Sequence, residues 1–156
     1  MDQIILRSIG HVSCPRDEAK DDFWGNVIST IKLDPSQLRA EATLGLTEFS
    51  HIDVIFYLDR VPDEKILKNA GHPRGNPDWP LVGILAQRKK ERPNKIGISV
   101  CELLEVNGLE LKVRALDAID GTPILDIKPH IKEFVPSPEH VRQPRWATEL
   151  MKDYFS

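Results

Sequence analysis

The chain is short of the features that usually announce a chemistry. It has two cysteines, Cys14 and Cys101, far apart and with no Cys-x-x-Cys pair, a usage that suits reduced thiols rather than a disulfide framework. No stretch approaches the roughly 18 uninterrupted apolar residues a spanning helix needs. The opening residues, Met1-Asp2-Gln3-Ile4-Ile5-Leu6-Arg7, lack a basic region followed by a long apolar run, so no signal peptide is expected and a cytoplasmic location is. There is no Gly-x-Gly-x-x-Gly and no Gly-x-x-x-x-Gly-Lys-Ser/Thr, which leaves a dinucleotide fold and a phosphate loop without a signal. A Gly-x-Ser-x-Gly nucleophile elbow is missing too. The five histidines show no ligand spacing with cysteines or carboxylates, so no metal is expected. The formal charge of −3 gives no whole-chain signal for nucleic acid, and any RNA contact has to come from a local basic patch.

What remains is an ordinary soluble composition, 40% hydrophobic and 29% charged over 156 residues. That length supports one substantial core.

β-branched and alternating segments at 4–12, 24–33, 50–58, 81–86, 96–106, 109–116 and 124–128 predict strands. In the fifth of these Ile96, Ile98, Val100, Leu104 and Val106 alternate with more polar positions. Asn107-Gly108 then suits a type I′ turn, and Leu109, Leu111, Val113 and Ala115 oppose Glu110, Lys112 and Arg114 on the return. Short helical pieces are expected over 38–46, where Gly45 supplies a stop, and over 63–68. Residues 69–80, with Gly71, Pro73, Gly75, Pro77 and Pro80, read as a long irregular loop of the kind that is usually functional. Val135-Pro136-Ser137-Pro138 reads as a linker, and Trp146, Leu150 and Tyr154 share one face of a C-terminal helix. Many strands and few helices predict a mainly β fold, an antiparallel β-barrel or a sandwich, with a few short helices and a C-terminal helix.

Two segments carry chemistry. Residues 115–130 spread Asp117, Asp120, Asp126 and Lys128 through an apolar run broken by Asp120-Gly121-Thr122-Pro123. Charge inside a core-forming segment costs several kcal/mol unless it is paired or solvated. The charges either face water or are used, and periodicity alone leaves both open. Upstream, Arg88, Lys89, Lys90 and Arg92 crowd a loop stiffened by Pro93. This is a solvated edge or an anion site for carboxylate or phosphate. A second basic element, His72-Pro73-Arg74-Gly75-Asn76, makes an RNA backbone contact a better fit than one loop would. His51, alone at the start of a strand, suits a satisfied structural histidine more than a proton shuttle.

Phe49-Ser50-His51, Arg92-Pro93-Asn94 with Ile96-Gly97, Asp120-Gly121-Thr122-Pro123 and Asp126-Ile127-Lys128-Pro129 together closely resemble the TsaA-like (TrmO) family. The resemblance covers about residues 4–131. It implies a β-barrel that uses S-adenosyl-L-methionine as cofactor in place of a Rossmann fold. The implied reaction is methylation of the exocyclic amine of threonylcarbamoyl-adenosine beside the tRNA anticodon, by a homodimer. It further implies a cofactor-binding barrel domain over residues 1–134, followed by a linker and helix over 135–156. Two positions depart from the family's common pattern: His130 stands where a tyrosine usually follows Lys-Pro, and Lys95 where a second proline usually follows Arg-Pro-Asn.

Carried over motif by motif, the resemblance implies cofactor contacts at Asp22, Phe23, Trp24, Asp59, Arg60, Arg88, Ile98, Ala115, Leu116, Asp117 and Ala118. Asp117 suits a ribose diol and Arg88 a carboxylate tail. Arg74, Arg92 and Asn94 are the expected substrate contacts, and Asp126 or Asp120, with Lys128 setting the charge, is the expected proton acceptor. Two other functions stay open at this point: a barrel that binds S-adenosyl-L-methionine or RNA without transfer, and a methyltransferase for another small acceptor.

Overall fold

A computed structural model describes residues 1–156. Six antiparallel strands close into a barrel: β1 (Gly10–Ser13), β2 (Ile28–Leu33), β3 (His51–Tyr57), β6 (Ile96–Asn107), β7 (Glu110–Arg114) and β8 (Pro123–Pro129). They run in the order β1-β2-β7-β6-β3-β8, and β1 pairs with β8 to close the ring. Two further strands, β4 (Ala70–Gly71) and β5 (Val82–Gly83), form a small separate ladder. Of the barrel and the sandwich that the strand pattern allows, the barrel implied by the family resemblance is the fold observed.

Alternation explains the core. Val12, Ile31, Ile52, Val54, Leu111, Val113 and Ile124 are fully buried, each on a strand whose other face meets water. Burying one such side chain contributes about 1.5–3 kcal/mol relative to leaving it exposed. Leu111 and Val113 point inward and Glu110 and Lys112 outward, as the spacing predicts.

β6 departs from the expected phase. Its first half turns Ser99 and Cys101 into the core and leaves Ile96, Ile98 and Val100 at 40%, 47% and 44% exposure. A register shift between Leu103 and Glu105 changes the pairing with β7 farther along. A bulge of this kind is invisible to a period-2 count, because one extra residue reverses every side chain beyond it.

The β6–β7 turn also sits one residue later than expected. Asn107 pairs with Glu110, so the two loop residues are Gly108 and Leu109. Of these only Gly108 has positive φ, at 60°, which is the type II′ requirement in place of type I′.

Most of the other elements are shorter than their sequence patterns, although the last strand exceeds its expected 124–128 by one residue at each end. The first strand begins at Gly10, leaving Ile4, Ile5 and Leu6 exposed, and the second begins at Ile28. Residues 38–46 give one 3₁₀ turn, Ala40–Thr43, before Gly45 at φ 83°. Only Asp63–Lys65 is helical in the next segment, and residues 81–86 give the two-residue β5 and a 3₁₀ turn. The long loop is less irregular than expected, since it carries β4 and a turn over Pro73–Gly75. The C-terminal helix α1 (Arg145–Leu150) stops early, and turns over the next five residues bring the chain back to the barrel.

Candidate functional site

The segment after β7 leaves the barrel through Ala115, whose φ of 66° is unusual for a residue with a side chain. Its N–H donates to the Val27 carbonyl, 3.0 Å. Leu116 and Ala118 then drop into the core at 0% and 2% exposure, while Asp117 between them faces the opposite way. The strand period therefore splits the expected cofactor stretch: only Ala115 and Asp117 present side chains outward. The chain next turns at Ile119–Thr122, where Gly121 takes φ 81° and Thr122 N–H donates to the Ile119 carbonyl, 3.2 Å. Positive φ at the third position is the type II condition.

Arg60 locks this turn to the charged loop after β1, and Arg16 braces that loop from within. Arg60 donates to the carbonyls of Asp17 (2.9 Å) and Asp120 (3.1 Å). Arg16 lies 3.8 Å over the Trp24 ring and donates to the Asp22 carbonyl at 3.0 Å. The Asp120 carboxylate accepts the Cys14 N–H at 2.9 Å, so its oxygen serves the junction. Sequence reasoning passed over Arg16, because a guanidinium over an indole eight residues away leaves no periodic trace.

Phe23 stands at φ 69° and 63% exposure, whereas Trp24 is buried at 2% and donates its indole N–H to the Lys20 carbonyl, 3.1 Å. Asp22 forms a forked pair with Arg74, 2.8 and 3.3 Å. That carboxylate holds the Arg74 guanidinium charged, above its usual range. Arg74 itself has φ 53°. Positive φ at Phe23, Arg74 and Ala115 costs about 1–3 kcal/mol each, and such strain concentrates at ligand sites.

The C-terminal segment covers these groups. Phe23 N–H donates to the Asp153 carbonyl (3.0 Å) and Trp24 N–H to the Tyr154 carbonyl (2.8 Å). The Tyr154 hydroxyl donates to Asp117 Oδ2, and the Trp79 indole N–H donates to Glu149, 2.9 Å. Burial, then the Asp117 carboxylate, pushes the Tyr154 phenol well above its usual range, while Arg88 nearby pulls the other way. The phenol is therefore the donor and Asp117 the acceptor. Asp117 Oδ1 is buried and has no hydrogen-bond partner. Tyr154 and Phe155 were not singled out as site residues; the helical spacing that includes Tyr154 carries no sign of a partner 37 residues away.

Arg88 donates to the Ile98 carbonyl at 2.8 Å, so these two expected contacts do meet. A cavity of about 290 Å³ is lined among others by Gly25, His51, Val100, Glu102, Ala115 and Phe155, and by neither Arg88 nor Ile98. Near it Glu102 pairs with Arg114 at 2.9 Å, and His130 Nδ1 meets Asp53 at 2.7 Å. His51 Nδ1 is satisfied by Ser50 Oγ at 2.7 Å.

Other expected residues lie elsewhere. Asp126, 3.4 Å from Lys128 on β8, borders a second cavity of about 450 Å³ with Leu38, Leu44 and Leu46. The structure does not bring it together with Asp117. Arg92 is turned inward, donating to the carbonyls of Gln87 (2.7 Å) and Lys89 (3.3 Å), and so braces its own loop. Asn94 takes φ 63°. Asp59 follows β3 with its N–H on the Tyr57 carbonyl, 2.9 Å.

Comparison with known proteins agrees with this architecture. The family model of the tRNA-methyltransferase O N-terminal domain matches residues 11–135. A probable S-adenosyl-L-methionine-binding protein of Pyrococcus abyssi is 35% identical over 137 residues, covering 84% of this chain and 70% of that one. One from Methanothermobacter thermautotrophicus is 34% identical over 136 residues, covering 85% and 93%. The human tRNA (adenine(37)-N6)-methyltransferase is 35% identical over 101 residues, of which the match spans only 22% of the human chain. A crystal structure of TrmO from Pseudomonas aeruginosa superposes with a TM-score of 0.73 at 25% identity, covering 90% of this chain and 61% of that one. With its barrel, its motifs and most of its length accounted for in this way, the chain belongs to the tRNA-methyltransferase O N-terminal domain family.

Proposed function

We propose that this chain binds S-adenosyl-L-methionine beside Asp117 and transfers its methyl group to the exocyclic amine of threonylcarbamoyl-adenosine next to the tRNA anticodon. The observation that carries the reading is the Asp117 carboxylate. One of its oxygens is buried without a partner, two residues after Ala115, which is itself at positive φ. A buried polar atom left bare in a native fold calls for an explanation, and a ligand hydroxyl is one.

The residues present fit that cofactor. Asp117 takes the ribose diol, Arg88 takes the carboxylate, and the apolar surface of Phe23 and Ile98 (63% and 47% exposed) receives the adenine. When bound, the cofactor supplies an electrophilic methyl group on a sulfonium centre. The chain's own contribution is positioning, since methyl transfer is an in-line displacement in which orientation carries much of the rate. The acceptor amine must lose a proton. Asp120 and Asp126 each accept a backbone N–H, from Cys14 and from Ile127, and Asp126, with Lys128 at 3.4 Å, borders the second cavity apart from Asp117, so the proton is proposed to pass to solvent rather than to either carboxylate. With Arg74 and Arg92 drawn into internal contacts, they and Asn94 shape the basic loops, and the exposed Lys90 is the proposed phosphate contact.

A homodimer is proposed from the outward Ile96, Ile98 and Val100 on β6, an apolar row that a second copy would cover. No helix is long and apolar enough to cross a membrane, and a cytoplasmic site of action goes with a tRNA substrate.

Transfer of labelled methyl groups to total tRNA from a strain lacking the cognate enzyme tests the reaction. Incorporation at the modified adenosine supports it. Tight cofactor binding without incorporation would favour a binding module, which is how the archaeal relatives are named. Saturable activity without RNA would identify a small acceptor. The substitution Asp126→Asn should leave both cofactor affinity and turnover in place, and a collapse of turnover at unchanged affinity would restore Asp126 as the proton acceptor.

A further inference from the structure

We infer that residues 153–155 are a wall of the cofactor site and that Tyr154 is a positioning residue, holding the Asp117 carboxylate for a ribose diol. This rests on the cofactor reading above and adds to it a segment outside the matched residues 11–135.

The segment is seated by the site's own backbone. The N–H groups of Phe23 and Trp24 point at the carbonyls of Asp153 and Tyr154, at 3.0 and 2.8 Å. Gly25 continues the contact with no side chain: a Cβ there would lie 1.9 Å from the Phe155 carbonyl oxygen. No positive φ accounts for glycine at this position. Close approach of the C-terminal backbone does.

The carboxylate is divided between two tasks. Oδ2 accepts the Tyr154 hydroxyl, and Oδ1 is buried with no partner. A hydrogen bond on one oxygen biases the orientation of the carboxylate, and with it the direction of the bare oxygen. A phenol kept protonated is a suitable holder, because its O–H donates to the carboxylate and adds no second negative charge beside it. Two vicinal hydroxyls match what is missing, since one can donate to Oδ1 while the other shares Oδ2 with the phenol. Phe155 lies beyond, packed edge-on to Tyr154 at 4.9 Å and lining the cavity with Gly25 and Ala115. That ring would border the ribose, leaving the adenine to Phe23 and Ile98. The ligand chemistry is thus that of a nucleoside with an intact cis-diol.

Calorimetric titration of the full chain with S-adenosyl-L-methionine and with S-adenosylhomocysteine tests this. Tyr154→Phe should weaken both by about tenfold, the loss of one hydrogen bond to a charged group. In an Asp117→Asn background the same change should cost nothing further, and an analogue lacking both ribose hydroxyls should bind wild type and Tyr154→Phe alike. A merely structural tyrosine would not discriminate between those ligands. Gly25→Ala, which forces the segment away without touching Asp117, should weaken binding and speed amide exchange at Phe23 and Trp24. Unchanged affinity in Tyr154→Phe and Gly25→Ala, or losses additive with Asp117→Asn, would overturn the inference while leaving the cofactor site standing. Tighter binding in either variant would also overturn it, making the segment a plug. Failure of the wild type to bind either ligand would bring down the cofactor reading and the inference together.

Discussion

Gly97 and Phe56 face each other across β3 and β6, and the phenyl ring fills the space that a side chain on Gly97 would need. A Cβ built on Gly97 lies 2.3 Å from the ring's Cε2 and 2.6 Å from Cζ. Phe56 is 3% exposed and packed in the barrel core, so the ring has nowhere to move. Gly97→Ala is expected to lose about 1–3 kcal/mol of stability through overpacking. Urea unfolding followed by tryptophan fluorescence would show it as a lower midpoint at unchanged slope.

The thiols should behave as two unlike groups. Burial, followed by the Asp117 and Asp53 carboxylates, pushes Cys101 up to about 12, and the residue is 1% exposed. The thiolate is the reactive form, so native protein near neutral pH should give one equivalent of thiol to a disulfide reagent, from Cys14. In denaturant it should give two. Two fast equivalents in the native state would contradict the burial of Cys101.

Lys95, the residue that stands in place of the family's proline, is held internally. Its ammonium donates to the Val61 carbonyl at 3.1 Å and to Asp63 at 2.9 Å, and lies 5.2 Å from the Tyr57 ring centre. The hydrogen bond to Lys95 lowers the Asp63 carboxyl below its ordinary 3.8, and the same bond raises Lys95. A lowered carboxyl stabilises the fold above its unfolded value and ceases to do so as pH falls through the folded one. The raised lysine keeps its contribution through neutral pH and loses it only in strong alkali. The difference in Tm between wild type and Asp63→Asn should therefore be present at neutral pH and close as pH drops below 3.8. Asp63 is 84% exposed, so added salt should shrink the difference. A gap constant down to the acid limit would contradict the pairing.

Ser29 is 2% exposed on β2, and its hydroxyl has no partner. Leaving a buried hydroxyl unmade costs about 1–3 kcal/mol. Ser29→Ala, removing one oxygen, is expected to leave Tm unchanged or raise it, as differential scanning calorimetry would register. A clear fall would mean that the hydroxyl is satisfied in solution.

Much of the barrel was legible in the residues. Glu110 to Arg114 alternates cleanly, Gly108 and Gly121 sit where positive φ is needed, and the run of strand patterns without long helices left few other architectures. Mistakes gathered where one residue changes the frame. Apolar Ile96, Ile98 and Val100 looked like a core face because period 2 cannot say which side is inside. The bulge near Leu104 then hid the change of phase. At the site, Asp22, Arg88, Ile98 and Asp117 do gather around one end of the barrel, while Leu116 and Ala118 turn into the core and Asp126 borders a different cavity.

Sequence alone determined what depends on neighbours in the chain: the strand periods, the turn glycines, the family motifs and the absence of disulfide or phosphate-loop chemistry. Those follow from dihedral preferences and from the alternation of side chains, which act over a few residues. Only the tertiary structure decided which charges are spent internally and which stay open. Arg60 reaches a carbonyl 43 residues away, and Tyr154 reaches Asp117 across 37. Such pairings are chosen by how the closed barrel brings its loops to one end. The bare oxygen of Asp117 exists only because the strand turns Leu116 inward and the C-terminal segment returns to cover the other oxygen.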